Sequence, residues 1–323
     1  MPHHHRQLFA GRYRVSGLLG QGGMGIVLDA EDLATGREVA IKVLRDSLAD
    51  HQIVRARFAR EARVLTELTS AHVVRGIETG EVDGLPFVAM ERLDGVDLAD
   101  VLGIERRLPV GAAVALARQI CAALADVHAL GVVHRDVKPE NLFLLRGDDG
   151  RLGQQLKLLD FGIAKVAGTP RADAPEEQVL ATDQASMGTT AYMAPEQFRT
   201  PADVDGRADI WAVGIILYEL LTGRLPFDGS TRGQTMMRVL GDDAPPPSTY
   251  DAAIPAELDR IVMRCLRREP AERFQSADEL DAALAPLTLV GSTWSPKERT
   301  PRASLVRLAA AEERRRRTTA RVA

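Results

Sequence analysis

Cysteine is scarce in this chain: 323 residues contain two, Cys121 and Cys265. No disulfide framework can therefore organise the fold, and both thiols fall in apolar helical patterns that read as reduced core positions. No run of about 18 or more consecutive apolar residues occurs, and no apolar segment follows the start, so the pattern predicts no transmembrane segment. These absences give the expectation of a cytoplasmic chain. A strong excess of one charge is missing too, since the net charge is −4 at pH 7. From Lys297 onward nine basic and three acidic residues make a +6 tail, which leaves −10 for the rest. The main body therefore has no basic face, and nucleic acid is not an expected partner. His3 to His5 read as part of a disordered start, and the tail from about Leu289, with W-S-P-K-E-R-T-P, as a linker with a charged, solvated end, the alternative being a docking or anionic-membrane role.

What is present is concentrated chemistry. His134 to Asn141 reads H-R-D-V-K-P-E-N, after an apolar helix from Pro109 to Leu130 and a short strand at Val132 and Val133. Asp136, Lys138 and Asn141 put a carboxylate, a cation and a carboxamide within six residues, with Pro139 setting the turn. A loop made only for shape would use Gly, Ser and Asn. This set can accept a hydroxyl proton, neutralise phosphate and ligate a hard metal.

Near the start, Gly20, Gly22 and Gly25 form G-x-G-x-x-G. A dinucleotide-binding fold needs that motif to open a helix. Here Ile26-Val27-Leu28 follows, then a turn at Thr35-Gly36 and a strand from Glu38 to Leu44, so the glycines sit at a hairpin tip. Missing side chains there allow backbone to approach phosphates. The strand carries Lys42 among apolar neighbours, and a lysine so placed needs a partner. In the helix from about Ala49 to Leu68, Phe58, Leu65 and Leu68 share the stripe of Glu61, which points that carboxylate inward as the candidate partner.

Further along, a strand from Leu156 to Leu159 ends in Asp160-Phe161-Gly162, presented beside the central loop if it pairs with the strand from Leu142 to Leu145. Asp160 and Asn141 offer the hard oxygen ligands that Mg²⁺ prefers. Residues 163 to 187 are polar and Pro-containing, a loop composition that closes on G-T-T-A-Y-M-A-P-E from Gly188 to Glu196. A core helix begins at Asp209-Ile210-Trp211, too short to span a bilayer, and Ser276 reads as the N-cap of a last helix.

These motifs resemble those of protein kinases, and V-K-P-E-N is the form of the Ser/Thr branch; G-Q-G-G-M-G and M-A-P-E-Q are most similar to bacterial members. The resemblance implies an α+β, two-lobed fold: a flexible start over 1–12, a mainly β N-lobe over 13–92, a mainly α C-lobe over 93–286 and a basic tail over 287–323. It implies ATP as substrate, with Mg²⁺ or Mn²⁺, and protein Ser/Thr hydroxyls as acceptors, autophosphorylation in trans included. By the same resemblance Leu19, Gly20, Gly22, Gly25, Val27, Ala40, Lys42, Met90, Phe143 and the backbone of Glu91 and Leu93 contact the nucleotide, and Lys42 pairs with Glu61. Asp136 and Lys138 act on the hydroxyl and the transferred group, while Asn141 and Asp160 carry metal. Thr189 meets the catalytic pair, Asp209 braces the loop backbone, and Arg273 pairs with Glu196. Arg135 and Lys165 would receive a phosphate placed on Thr182 or Ser186, with Thr169 a weaker candidate; the alternative is that Arg135 merely braces the loop backbone. Two rival readings stand beside this one. A catalytically silent scaffold would normally have lost Lys42, Asp136 or Asp160, and a small-molecule phosphotransferase has no need of the Gly188 to Glu196 platform.

Overall fold

The computed structural model describes residues 8–22, 25–160, 190–288 and 294–297. These fall into two compact units, one holding the described residues up to Glu67 with Arg75–Leu93, the other Leu68–Val74 with Asp94–Lys297.

The first unit is an antiparallel five-stranded sheet in the order β1-β2-β3-β5-β4. Its strands are β1 (Tyr13–Gln21), β2 (Gly25–Asp32), β3 (Arg37–Leu44), β4 (Gly76–Val82) and β5 (Leu85–Glu91). The period-2 alternation of β3 sends Val39, Ile41 and Val43 into a core with Tyr13, Ala30, Phe87 and Ala89. Ala40 and Lys42 consequently face the other side. Helix α1 (Gln52–Glu67) begins three residues later than the pattern predicts, after a 3₁₀ turn at Asp46–Leu48. It buries Phe58, Glu61, Ala62, Val64 and Leu65. Gly76 lets β4 approach that helix, because a Cβ there would lie 2.7 Å from the Leu65 carbonyl. Where β1 begins, Arg12 forks onto Asp32 at 2.6 Å and the Tyr13 hydroxyl donates to Glu78 at 2.6 Å, fixing the strand start.

The second unit is mainly helical, with a small sheet of β6 (Gly95–Asp97), β7 (Leu142–Arg146) and β8 (Leu152–Leu158). Among the described residues its helices are α2 (Leu98–Glu105), α3 (Val110–Ala129), α4 (Pro195–Arg199), α5 (Arg207–Thr222), α6 (Arg232–Gly241), α7 (Ala256–Cys265) and α8 (Ala277–Leu284). Helix α5 is apolar over most of its surface, and all its residues but Arg207, Glu219 and Thr222 are buried. Its Trp211 stacks on Phe227 at 5.6 Å, and it ends at Gly223, whose φ of 69° suits glycine. Helix α3 starts after Pro109 and stops before Gly131, as the sequence predicts. By length and mean hydropathy α3 could span a bilayer, but it is interrupted by polar residues and mostly buried within this unit. Cys121 and Cys265 are free, buried thiols.

Two expectations are corrected. Val132 and Val133 form no strand: the Val132 N–H turns back to the Val127 carbonyl of α3 at 3.4 Å instead of joining a ladder. The W-S-P-K stretch is not a solvated linker: Trp294 and Pro296 are buried, so the indole surface leaves water.

Candidate active site

In the sheet unit, Lys42 sits opposite Val27 on one side and Val88 on the other. Its Nζ donates to Glu61 Oε1 at 2.7 Å, with both side chains buried. The sequence stripe that turned Glu61 inward thus forms the pair. Across the β1–β2 hairpin, the Gly22 N–H donates to the Gly25 carbonyl at 2.9 Å. Gly25 is required sterically, since a Cβ would stand 2.3 Å from the Val43 carbonyl oxygen; Gly20 and Gly22 have open space instead. Leu19 is exposed, and Ala40 and Met90 are buried register partners. The Glu91 N–H donates to the Arg75 carbonyl at 3.0 Å, so that amide is not a donor for a base.

In the helical unit the loop from His134 to Asn141 is organised by Asp209, near the start of α5. Its carboxylate accepts from the His134 N–H at 2.9 Å and the Arg135 N–H at 2.8 Å, and His128 Nε2 lies 2.8 Å away. Arg135 holds φ at 64°, a left-handed conformation that a non-glycine residue keeps only when its surroundings impose it. His134 is fully buried and tied at both nitrogens. The Asp136 N–H donates to Nδ1 at 3.2 Å, which leaves Nε2 to donate to the Leu159 carbonyl at 3.0 Å. Burial lowers its pKa from the ordinary 6.5, in keeping with a neutral ring, while the carboxylates of Asp209, Asp136 and Asp160 all pull the other way.

The chemical groups gather on Asp136. Lys138 Nζ lies 3.3 Å from its Oδ2, and Asn141 Nδ2 donates to its carbonyl at 2.8 Å and to Oδ2 at 3.2 Å. With the amide nitrogen turned to Asp136, the Asn141 Oδ1 is the atom available to a hard cation. β7 and β8 pair, Leu142 opposite Leu158, and the Leu159 N–H donates to the Asn141 carbonyl at 2.8 Å. Leu159 is thus bound to both ends of the loop, which delivers Asp160, at φ 27°, beside it. Asn141 and Asp160 carry oxygen donors of the hard type that a divalent cation would take. Phe143 stands on β7 between Asp97 and Lys157.

Glu196, on α4, receives both arms of Arg273 at 2.7 and 2.8 Å. The Arg135 guanidinium does not form an open phosphate pocket: it donates to the carbonyls of Pro201 and Val204 at 3.0 Å each. That corrects the reason for expecting it to await a phosphate. Lys165, Thr169, Thr182, Ser186 and Thr189 lie outside the described residues. Two positioning residues escaped the sequence reading. His128 was legible only as a lone polar residue in the last turn of an apolar helix. Gln197 clasps the Ala194 N–H with its oxygen at 2.9 Å and the Arg135 carbonyl with its nitrogen at 3.0 Å.

A β-sheet unit with a buried Lys–Glu pair and a helical unit with a braced Asp–Lys–Asn loop define the protein kinase fold. The family described as protein kinase domain matches residues 13–283, and the chain belongs to it, in its bacterial Ser/Thr branch. It is 38% identical over 278 residues to the serine/threonine-protein kinase pkn3 of Myxococcus xanthus, a match covering 84% of this chain and 49% of that protein. The chain thus spans about half the length of that relative. The crystal structure of the PknI kinase domain of Mycobacterium tuberculosis is similar with a TM-score of 0.65 at 30% identity, covering 89% of this chain and 100% of that one. Rad53 in complex with AMP-PNP gives 0.67 at 26% identity, with 87% and 66% covered.

Proposed function

We propose that the chain transfers the γ-phosphoryl group of ATP to Ser or Thr hydroxyls of proteins, in the cytoplasm. The carrying observation is the cluster on one loop: a carboxylate that can orient a hydroxyl and accept its proton, held by an ammonium and an amide. The Rad53 complex with an ATP analogue supports nucleotide use. Asp136 takes the acceptor proton, and Lys138 offsets charge gathering on the transferred group, so the work is positioning and electrostatics. In the sheet unit Gly20, Gly22 and Gly25 cover phosphates, Lys42 holds them while Glu61 orients its ammonium, and the carbonyl of Glu91 with the backbone of Leu93 meets the base. Leu19, Val27, Ala40, Met90 and Phe143 supply apolar contact with that base. Asn141 and Asp160 are the residues that would hold Mg²⁺ or Mn²⁺, which supplies neutralising charge to the phosphates when bound.

Radiolabelled ATP with a generic protein substrate tests this. Asp136→Asn should lower transfer by roughly 10²–10⁴-fold, the span of general-base catalysis. Transfer surviving the substitution would exclude the assigned role. A silent scaffold fits less well, because Lys42, Asp136 and Asp160 are all retained. We retain phosphorylation of Thr182 or Ser186 as the activating event, with Thr189 beside the acceptor. Because Arg135 already holds two carbonyls, a phosphate would have to recruit it by adding to those bonds. A Thr182→Ala, Ser186→Ala enzyme that matches phosphorylated wild type in turnover would discard the idea.

A further inference from the structure

The segment Trp294 to Lys297 is built against the helical unit in a way that leaves one group outside. Trp294 is 8% exposed and Pro296 is buried, while Ser295 between them is exposed. Gln154, on β8, donates its amide to the Trp294 carbonyl. Lys297 engages Glu105, its N–H at 2.9 Å from Oε1 and its Nζ at 3.7 Å from Oε2. Glu105 is the last residue of α2, where the helix dipole disfavours an anion and the last turn holds no basic residue, so Lys297 supplies the missing positive charge. The clasp is imperfectly satisfied. The Trp294 indole N–H is buried without an acceptor among the described residues, which biases it towards release.

We infer that Ser295 is a phosphoacceptor site that opens this clasp, modified by a second copy of the chain; this rests on the Ser/Thr kinase reading above. Ser295 Oγ forms a bond to the γ-phosphorus as the bond from that phosphorus to the β,γ-bridging oxygen breaks. ADP departs, and the hydroxyl proton passes to the Asp136 carboxylate of the acting copy. With buried residues on both sides, Ser295 can enter another active site only from the released state, and the phosphate then keeps it released. Two residues from Lys297, the new dianion draws Nζ away from Glu105 and faces that carboxylate with like charge. Among the described residues the Ser295 hydroxyl has no hydrogen bond to surrender.

The chain has two tryptophans, Trp294 and the wholly buried Trp211, so acrylamide quenching reads the clasp directly. The 323-residue chain carrying Asp136→Asn serves as acceptor for catalytic amounts of wild type with Mg-ATP, and a generic substrate is assayed in parallel. The expected result is phosphate on Ser295 by mass spectrometry and one tryptophan of the two passing from protected to quenchable. Acceptor carrying Ser295→Ala as well should stay fully protected, and Ser295→Glu should be quenchable without ATP. Generic substrate phosphorylated with Ser295 unmodified, or modified Ser295 with both tryptophans still protected, overturns the inference alone. No transfer to any substrate overturns the activity reading and this inference together.

Discussion

Two buried ion pairs, one in each unit, are built differently. Arg273 is 0% exposed and spends all five N–H donors: two on Glu196, one each on the carbonyls of Arg267, Arg207 and Arg268. Its guanidinium also lies 5.1 Å from the Trp211 ring. Lys42 and Glu61 are buried too, but here the cation is an ammonium on a flexible stem and its carboxylate is carried by α1. A planar fork fixed in five directions is a lock. A point-charge pair whose second member rides on one helix can be made or broken by moving that helix, which is what a catalytic switch requires.

The contrast predicts opposite readouts. Arg273→Met should leave the Glu196 carboxylate without its cation and remove a donor from each of three carbonyls, at a cost of about 3–5 kcal/mol, a fall of roughly 10 °C in Tm. Arg273→Lys should recover only a minor part, because one ammonium cannot reach five acceptors. Thermal denaturation decides it, and a variant as stable as wild type would remove the idea of a lock.

A smaller effect, on turnover more than stability, is expected at the other pair. Glu61→Gln keeps an oxygen for Lys42 but removes the charge that positions it. The loss in kcat/KM should be on the order of ten- to a hundredfold, about 1.4–2.8 kcal/mol of barrier, while Tm moves much less than for Arg273→Met. If both variants lose stability equally and turnover hardly changes, the two pairs do not differ in kind.

The sequence exposed this contrast unevenly. Glu61 was legible because a carboxylate on an apolar helical stripe is costly unless paired, and the loop chemistry was legible because each residue type is itself the signal. The bracing of that loop was less so. Arg135 satisfies itself on main-chain carbonyls of residues 201 and 204, and main-chain acceptors leave no mark in a side-chain pattern. Trp294 and Lys297 find partners at positions 154 and 105, contacts across more than a hundred residues that no local periodicity encodes. Polar flanks therefore made a docked segment read as a linker.

Asp97 is the converse case, a half-buried carboxylate that no cation among the described residues offsets. It caps α2 by accepting from the Asp100 N–H at 2.8 Å. Burial pushes its pKa from 3.8 up to about 6; the charges of Asp100 and Glu140 add to the rise, and the cap bond opposes it. The folded state thus holds this proton more tightly than the unfolded chain does. Stability from this group is gained as pH falls through about 6, is complete below 3.8, and is absent above the folded value. In Asp97→Asn the amide oxygen can still cap the helix but cannot titrate. The variant should therefore be the more stable protein above pH 6, and its advantage should shrink steadily as pH drops towards 3.8. Paired thermal melts across that range measure the gap; a constant gap would mean that Asp97 is solvated and carries no burial cost.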